Sequence, residues 1–108
     1  MSMTVDVVSG STTAVLKALA EPLRWRIVEL LGAEELCVCH LVAALGVPQS
    51  LVSHHLRVLR DLGLVSTERF RYWTYYHLEP KALELLAARL GRLVDEAPAP
   101  GSRRRPCC

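Results

Sequence analysis

The sequence predicts a mainly α-helical domain with one small β-hairpin, and three observations carry that expectation. A short helical pattern and a longer one are separated by little more than Gly46-Val47-Pro48, and two helices joined so tightly through a glycine turn form a helix-turn-helix. Directly after them the pattern changes to β-branched and aromatic residues, through Phe70 and Tyr72-Trp73-Thr74-Tyr75-Tyr76-His77-Leu78, which reads as two short strands. A hairpin in that place is a wing, so the unit is a winged helix-turn-helix. The other apolar residues recur at helical spacing before and after it.

In chain order, residues 1–11 are small and polar-leaning and are expected to fray. From Thr12 a first helix carries Val15, Leu16, Leu19 and Ala20. Glu21-Pro22 interrupts it and starts a second, because proline suits the first turn of a helix and disfavours helix in the residue before it. That second helix places Leu23, Ile27, Leu30 and Leu31 on one side and is expected to end at Gly32. The third runs from about Cys37 to Leu45 and stops at Gly46. Pro48-Gln49-Ser50 opens the fourth, which continues to Leu62 and stops at Gly63, with Val52, Leu56 and Leu59 as its core stripe. After the hairpin, Pro80 starts a last helix bearing Leu83, Leu86, Leu90 and Val94. The folded domain is therefore predicted over 12–96, and 97–108 reads as a flexible basic tail ending in cysteines.

With 108 residues, 51% of them hydrophobic and 22% charged, the chain suits one globular domain. There is no room for a separate cofactor domain. No stretch approaches the roughly 18–20 apolar residues of a membrane span, and the first twenty residues lack a basic region. A cytoplasmic address follows, and there the four cysteines are expected as thiols rather than disulfides. The net charge is only +2, from 13 basic and 11 acidic residues, so charge placement must decide the partner.

That placement favours double-stranded DNA. On a 100° wheel, Ser50, Ser53, His54 and Arg57 lie opposite the core stripe of the fourth helix, with Gln49 near its start. These side chains suit base edges in the major groove. Free N–H groups of the first turn suit phosphate. Arg60, Arg69 and Arg71 extend the positive surface into the wing, and Arg103, Arg104 and Arg105 add a salt-sensitive contact. A solvated helix face is the bland alternative. The tight turn before, the wing after and a single acidic residue, Asp61, weigh against it. His55 lies beside the stripe and reads as a packing residue.

The second signal is Glu34-Glu35-Leu36-Cys37-Val38-Cys39-His40-Leu41. A lone pair of cysteines two apart is weak, since cysteine often fills space. On a regular helix such residues point about 200° apart. One thiol is then expected toward the core and one toward solvent, and both can hold one soft ion only if the first turn unwinds. Thiolates prefer soft ions, and a helix N-terminus favours the thiolate.

These residues, with Gly46-Val47-Pro48-Gln49-Ser50 and the run to Val65, resemble the ArsR/SmtB family of metalloregulatory repressors. Glu21-Pro22-Leu23-Arg24 and residues 73–78 are similar to its early-helix and wing patterns. Glu35-Leu36-Cys37-Val38-Cys39 resembles its arsenic- and antimony-sensing branch. The resemblance spans about residues 14–95. It implies a homodimer through the first and last helices that leaves its operator when As(III) or Sb(III) binds Cys37 and Cys39, with no organic cofactor. It also implies reading helices roughly 34 Å apart in successive major grooves.

Three departures stand out. The branch usually has a third cysteine five residues after the first, where this chain has Val42, and an aspartate where it has His40. Cys107 and Cys108 offer a remedy, since residues 97–106 span at most about 33–36 Å when extended. Other readings are a separate tail site, or a zinc, cadmium or lead site completed by His40. The wing has Phe70-Arg71 where the family commonly has glycine. The family's other sensor site, on the last helix, is missing, because that helix has no histidine. Further alternatives are a repressor sensing thiol oxidation and a metal-free regulator. An enzyme is not expected, for neither a Cys-x-x-Cys on an α/β scaffold nor a Ser/His/Asp set in a cleft is legible.

Overall fold

A computed structural model describes residues 12–107, so the expectations for residues 1–11 and for Cys108 lie outside it. Within it the chain forms α1 (Thr12–Leu19), α2 (Pro22–Ala33), α3 (Val38–Leu45), α4 (Gln49–Asp61), β1 (Val65–Phe70), β2 (Trp73–Leu78) and α5 (Pro80–Glu96). This is a winged helix-turn-helix, with α3 and α4 packed together and α4 leaning on β1.

Side-chain chemistry sets most of the boundaries. Glu21 is extended and its carboxylate accepts the Arg24 N–H at 2.9 Å, capping α2 ahead of Pro22. That backbone bond is the main reason the Glu21 carboxyl is held below its ordinary range. Gly46 takes the left-handed conformation at φ 68° and donates its N–H to the Val42 carbonyl at 2.8 Å, ending α3 without the penalty a Cβ would carry. The predicted stop at Gly32 is corrected: α2 runs on to Ala33 and the chain becomes extended at Glu34. The reason lies further on, where Leu36 and Tyr76 exchange backbone hydrogen bonds of 3.1 and 2.8 Å. That bridge draws the α2–α3 connection against the hairpin.

The core collects Val15, Ile27, Val28, Leu31, Leu41, Val52, Leu56, Leu59, Leu64 and Val65. All three predicted stripe residues of α4 are among them. The last helix behaves differently. Leu83 and Leu86 rest on the core, but no residue of α5 is buried, and Leu85, Leu90, Leu93 and Val94 stay exposed, the last two at 66% and 75%. Beyond it, residues 97–107 are exposed coil with a turn at Gly101, closed by Ser102 N–H to the Ala99 carbonyl at 3.0 Å.

The hairpin pairs Val65 with Leu78 through to Phe70 with Trp73, leaving Arg71-Tyr72 as a two-residue turn. Such turns need positive φ at a central position, where glycine is at ease. Here Arg71 adopts φ 59° itself, and its guanidinium lies 5.3 Å from the Phe70 ring centroid. Relief of a left-handed L-residue is worth about 1–2 kcal/mol, and the lost cation–π contact returns about 0.5–1 kcal/mol at an exposed site. Arg71→Gly is therefore expected to raise stability by about 0.5–1 kcal/mol, read by thermal denaturation.

Candidate thiol site and nucleic-acid interface

Cys37 is the N-cap of α3 and lies outside it, extended at φ −93° and ψ 170°. This overturns the expectation drawn from a regular helix. The two sulfurs do not diverge: Cys37 Sγ and Cys39 Sγ are 2.9 Å apart with the helix intact. No unwinding is needed to bring them together. Their exposure does differ as expected, Cys37 being 6% exposed and Cys39 open to solvent. His40 completes the group. Its Nδ1 accepts the Cys37 N–H at 3.1 Å and stands 3.3 Å from Cys37 Sγ, closing a capping box around the first turn.

Ligand atoms of Cys37, Cys39 and His40 all lie within 4.8 Å of one another. Burial pushes the Cys37 thiol up, but hydrogen bonds from the Cys39 thiol and from nearby backbone N–H groups outweigh it and leave the thiol below its ordinary value. Cys39 moves the other way, first through its hydrogen bond to Cys37 and then through burial. Two thiols and an imidazole are a donor set for soft or borderline ions. On a tetrahedral zinc ion with bonds of about 2.3 Å the sulfurs would stand about 3.8 Å apart, so an opening of under about 1 Å fits one. Cys107 is exposed and is not part of this cluster, and Cys108 lies outside the described residues.

On α4, Gln49, Ser50, His54, Arg57 and Arg60 are exposed and Ser53 is half-buried. Arg69 and Arg71 are exposed on the hairpin. Among the described residues none of these four arginines is in an ion pair with an acidic side chain. The face opposite the stripe is therefore polar, cationic and accessible.

His55 is held inside, 5% exposed, by a contact the sequence did not reveal. Arg24 Nη1 lies 3.1 Å from its Nδ1, and Arg24 Nε donates to the Ala18 carbonyl at 2.8 Å. A guanidinium has no acceptor, so Nδ1 must accept and the proton sits on Nε2, 3.8 Å from Glu21 Oε1. One side chain of α4 is thereby tied to the α1–α2 junction. Burial, opposed by Glu21 and helped by Arg24 and His54, lowers the His55 pKa below 6.5. The folded state therefore keeps His55 neutral where the unfolded chain takes up a proton. Its contribution is complete above about pH 6.5 and is lost as pH falls through the lowered folded value. Thermal midpoints should drop as pH falls below about 6.5, and His55→Gln should flatten that slope.

A second unforeseen cluster joins the hairpin to α5. Ser66 Oγ donates to Glu79 Oε2 and lies 2.8 Å from His77 Nε2. The serine proton goes to the carboxylate, so His77 donates to Ser66 and is not placed as its base. The group ties the wing to the start of α5. Among the described residues, no helix is long and apolar enough to cross a membrane.

Comparison with known proteins follows the same lines. Residues 15–67 match the bacterial regulatory protein, arsR family. An arsenic resistance transcriptional regulator of Pseudomonas putida is 40% identical over 82 residues, 75% of this chain and 64% of that protein. A transcriptional repressor SmtB homologue of Synechocystis is 49% identical over 61 residues, 56% of this chain and 46% of that one. The chain thus spans less than two thirds of either. It spans more of the arsenical resistance operon repressor of Escherichia coli, 38% identical over 84 residues, 77% of this chain and 68% of that protein. Among solved structures, an ArsR-like transcriptional regulator from Rhodococcus superposes with a TM-score of 0.71 at 27% identity, covering 79% of this chain and 80% of that one. The homodimeric winged helix-turn-helix DNA-binding domain of a possible ArsR-family regulator from Mycobacterium bovis gives 0.63 at 28% identity, covering 86% of each.

Proposed function

The chain belongs to the arsR family of bacterial regulatory proteins, and we propose that it is a homodimeric repressor that leaves its operator when As(III) or Sb(III) binds Cys37 and Cys39. The observation that carries this reading is the pair of sulfurs 2.9 Å apart at the first turn of α3, the helix that leads directly into α4. Gln49, Ser50, Ser53, His54 and Arg57 are assigned to base edges and nearby phosphates. Arg60, Arg69 and Arg71 are assigned to the backbone, with the tail arginines adding a mobile contact. The exposed apolar residues of α5, with Leu16 of α1, are assigned to the dimer interface. The related Mycobacterium bovis domain is homodimeric.

Coupling is a matter of linkage. An inducer that lowers operator affinity binds the DNA-bound dimer more weakly by the same factor, and about 3 kcal/mol corresponds to roughly 150-fold. The test is fluorescence anisotropy of a duplex selected for tight binding, titrated with arsenite on reduced protein. Release by arsenite supports the reading. A complex indifferent to arsenite at thiol-saturating concentrations overturns it. A chain truncated after Pro106 decides whether Cys107 and Cys108 complete the site: unchanged release leaves the tail outside it.

His40 favours a second reading, a repressor of the same fold sensing divalent zinc, cadmium or lead. Its Nδ1 already serves the Cys37 N–H, so an ion that takes that nitrogen removes a cap bond and loosens the first turn of α3. The similarity to an SmtB homologue points the same way. Cadmium release abolished by His40→Ala, with arsenite ineffective, selects this reading. Release by an oxidant alone selects thiol oxidation.

A further inference from the structure

We propose that His55 is a proton-sensitive latch on the reading helix: when its ring takes up a proton it loses Arg24, and the protein loses affinity for duplex DNA. This rests on the reading of α4 as the helix that enters the major groove. His55 lies on the inner side of α4, 5% exposed, and the next residue back, His54, is exposed on the outer side. The His55 Nδ1 is 3.1 Å from Arg24 Nη1, and Arg24 Nε donates to the Ala18 carbonyl near the end of α1 at 2.8 Å. A guanidinium only donates, so the contact exists only while Nδ1 carries no proton. One imidazole lone pair thereby fastens α4 to both α1 and α2.

A charged ring left in place would set two donors, Nδ1–H and Arg24 Nη1, against each other at 3.1 Å. At a buried site an uncompensated charge is strongly destabilising. Glu21 cannot compensate without a loss of its own. Its Oε1 stands 3.8 Å from His55 Nε2, but the same oxygen accepts the Arg24 N–H at 2.9 Å and caps α2. Drawing it onto the imidazolium weakens that cap. Otherwise the ring leaves its place, and α4 shifts with it. Burial opposes the proton, Glu21 favours it, and Arg24 and His54 oppose it. Among the described residues, α3 and β1, the other elements packed on α4, add no charge that acts on the ring. The sign of the effect is distinctive. A charge on His54, whose ring centroid is 5.2 Å from that of His55, would attract phosphate, so the histidine on the DNA side tightens binding in acid where the latch weakens it.

The experiment is fluorescence anisotropy of a duplex selected for tight binding, titrated with the reduced, metal-free full chain from about pH 7.5 to about pH 5. Far-UV circular dichroism at each pH keeps the comparison to folded protein. Affinity is expected to fall by about tenfold or more over that range, and His55→Gln should abolish the fall. Glutamine offers an acceptor to Arg24 and a donor to Glu21, as neutral His55 does, and it does not titrate. A second readout needs no variant. By linkage, DNA should move the His55 titration, followed by NMR of its ring nitrogens, to a pH about one lower than in the free protein, which corresponds to about tenfold in affinity per chain. Affinity that holds or rises in acid overturns the proposal while the DNA-binding reading stands. A fall that persists in His55→Gln, or a His55 titration unmoved by DNA, does the same. A chain for which no duplex can be selected overturns both.

Discussion

Replacing Cys37 with serine should leave the operator complex intact at arsenite concentrations that strip the wild type, shifting the midpoint of release by about 100-fold or more. One of two sulfurs is gone, and the remaining thiol has no soft partner within reach among the described residues. The variant should still fold, because serine is a preferred N-cap and Cys37 occupies that position in α3. Its thermal midpoint and its DNA affinity without arsenite are expected to match the wild type. Cys39→Ser, at an exposed position, should give the same loss. Full arsenite release from either variant, followed by anisotropy, would remove the thiol pair from the mechanism.

The second large effect is expected from Leu93→Glu on α5. Leu90, Leu93 and Val94 leave an apolar strip exposed on the isolated chain, and each such side chain is worth about 1.5–3 kcal/mol when buried against a partner. A carboxylate in that strip would be desolvated without a counter-charge, which costs several-fold more than the leucine contributed. The variant should sediment as a monomer with unchanged helical content. Its affinity for a two-half-site duplex should fall by about 100-fold or more, since a single reading helix then replaces a linked pair. A wild-type chain that sediments as a monomer at micromolar concentration, while binding the duplex tightly, contradicts the dimeric assignment.

What could be read from the residues was whatever local periodicity and turn chemistry decide. The stripe Val52, Leu56, Leu59, the αL stop at Gly46 and the change of period after Gly63 place the helix-turn-helix and its wing within a residue or two. Helical periodicity misplaces the thiols because the helix begins one residue after Cys37. Cys37 lies outside α3, where the rule of about 100° per residue has no hold. The end of α2 escapes the local signal for a related reason: a non-local bridge between Leu36 and Tyr76 outweighs the glycine at Gly32. The Arg24–His55 contact and the Ser66, His77 and Glu79 group join residues far apart in sequence, and periodicity carries no information about such pairs.

The position of Cys37 also sets the tempo of the proposed response. Because both sulfurs already face one another, capture has no unwinding step to wait for. Association should be second order in protein and metalloid, without a lag or a concentration-independent plateau in stopped-flow traces. Any slow phase then belongs to the protein parting from DNA, so the clock of induction would be the residence time on the operator rather than the assembly of the sensor.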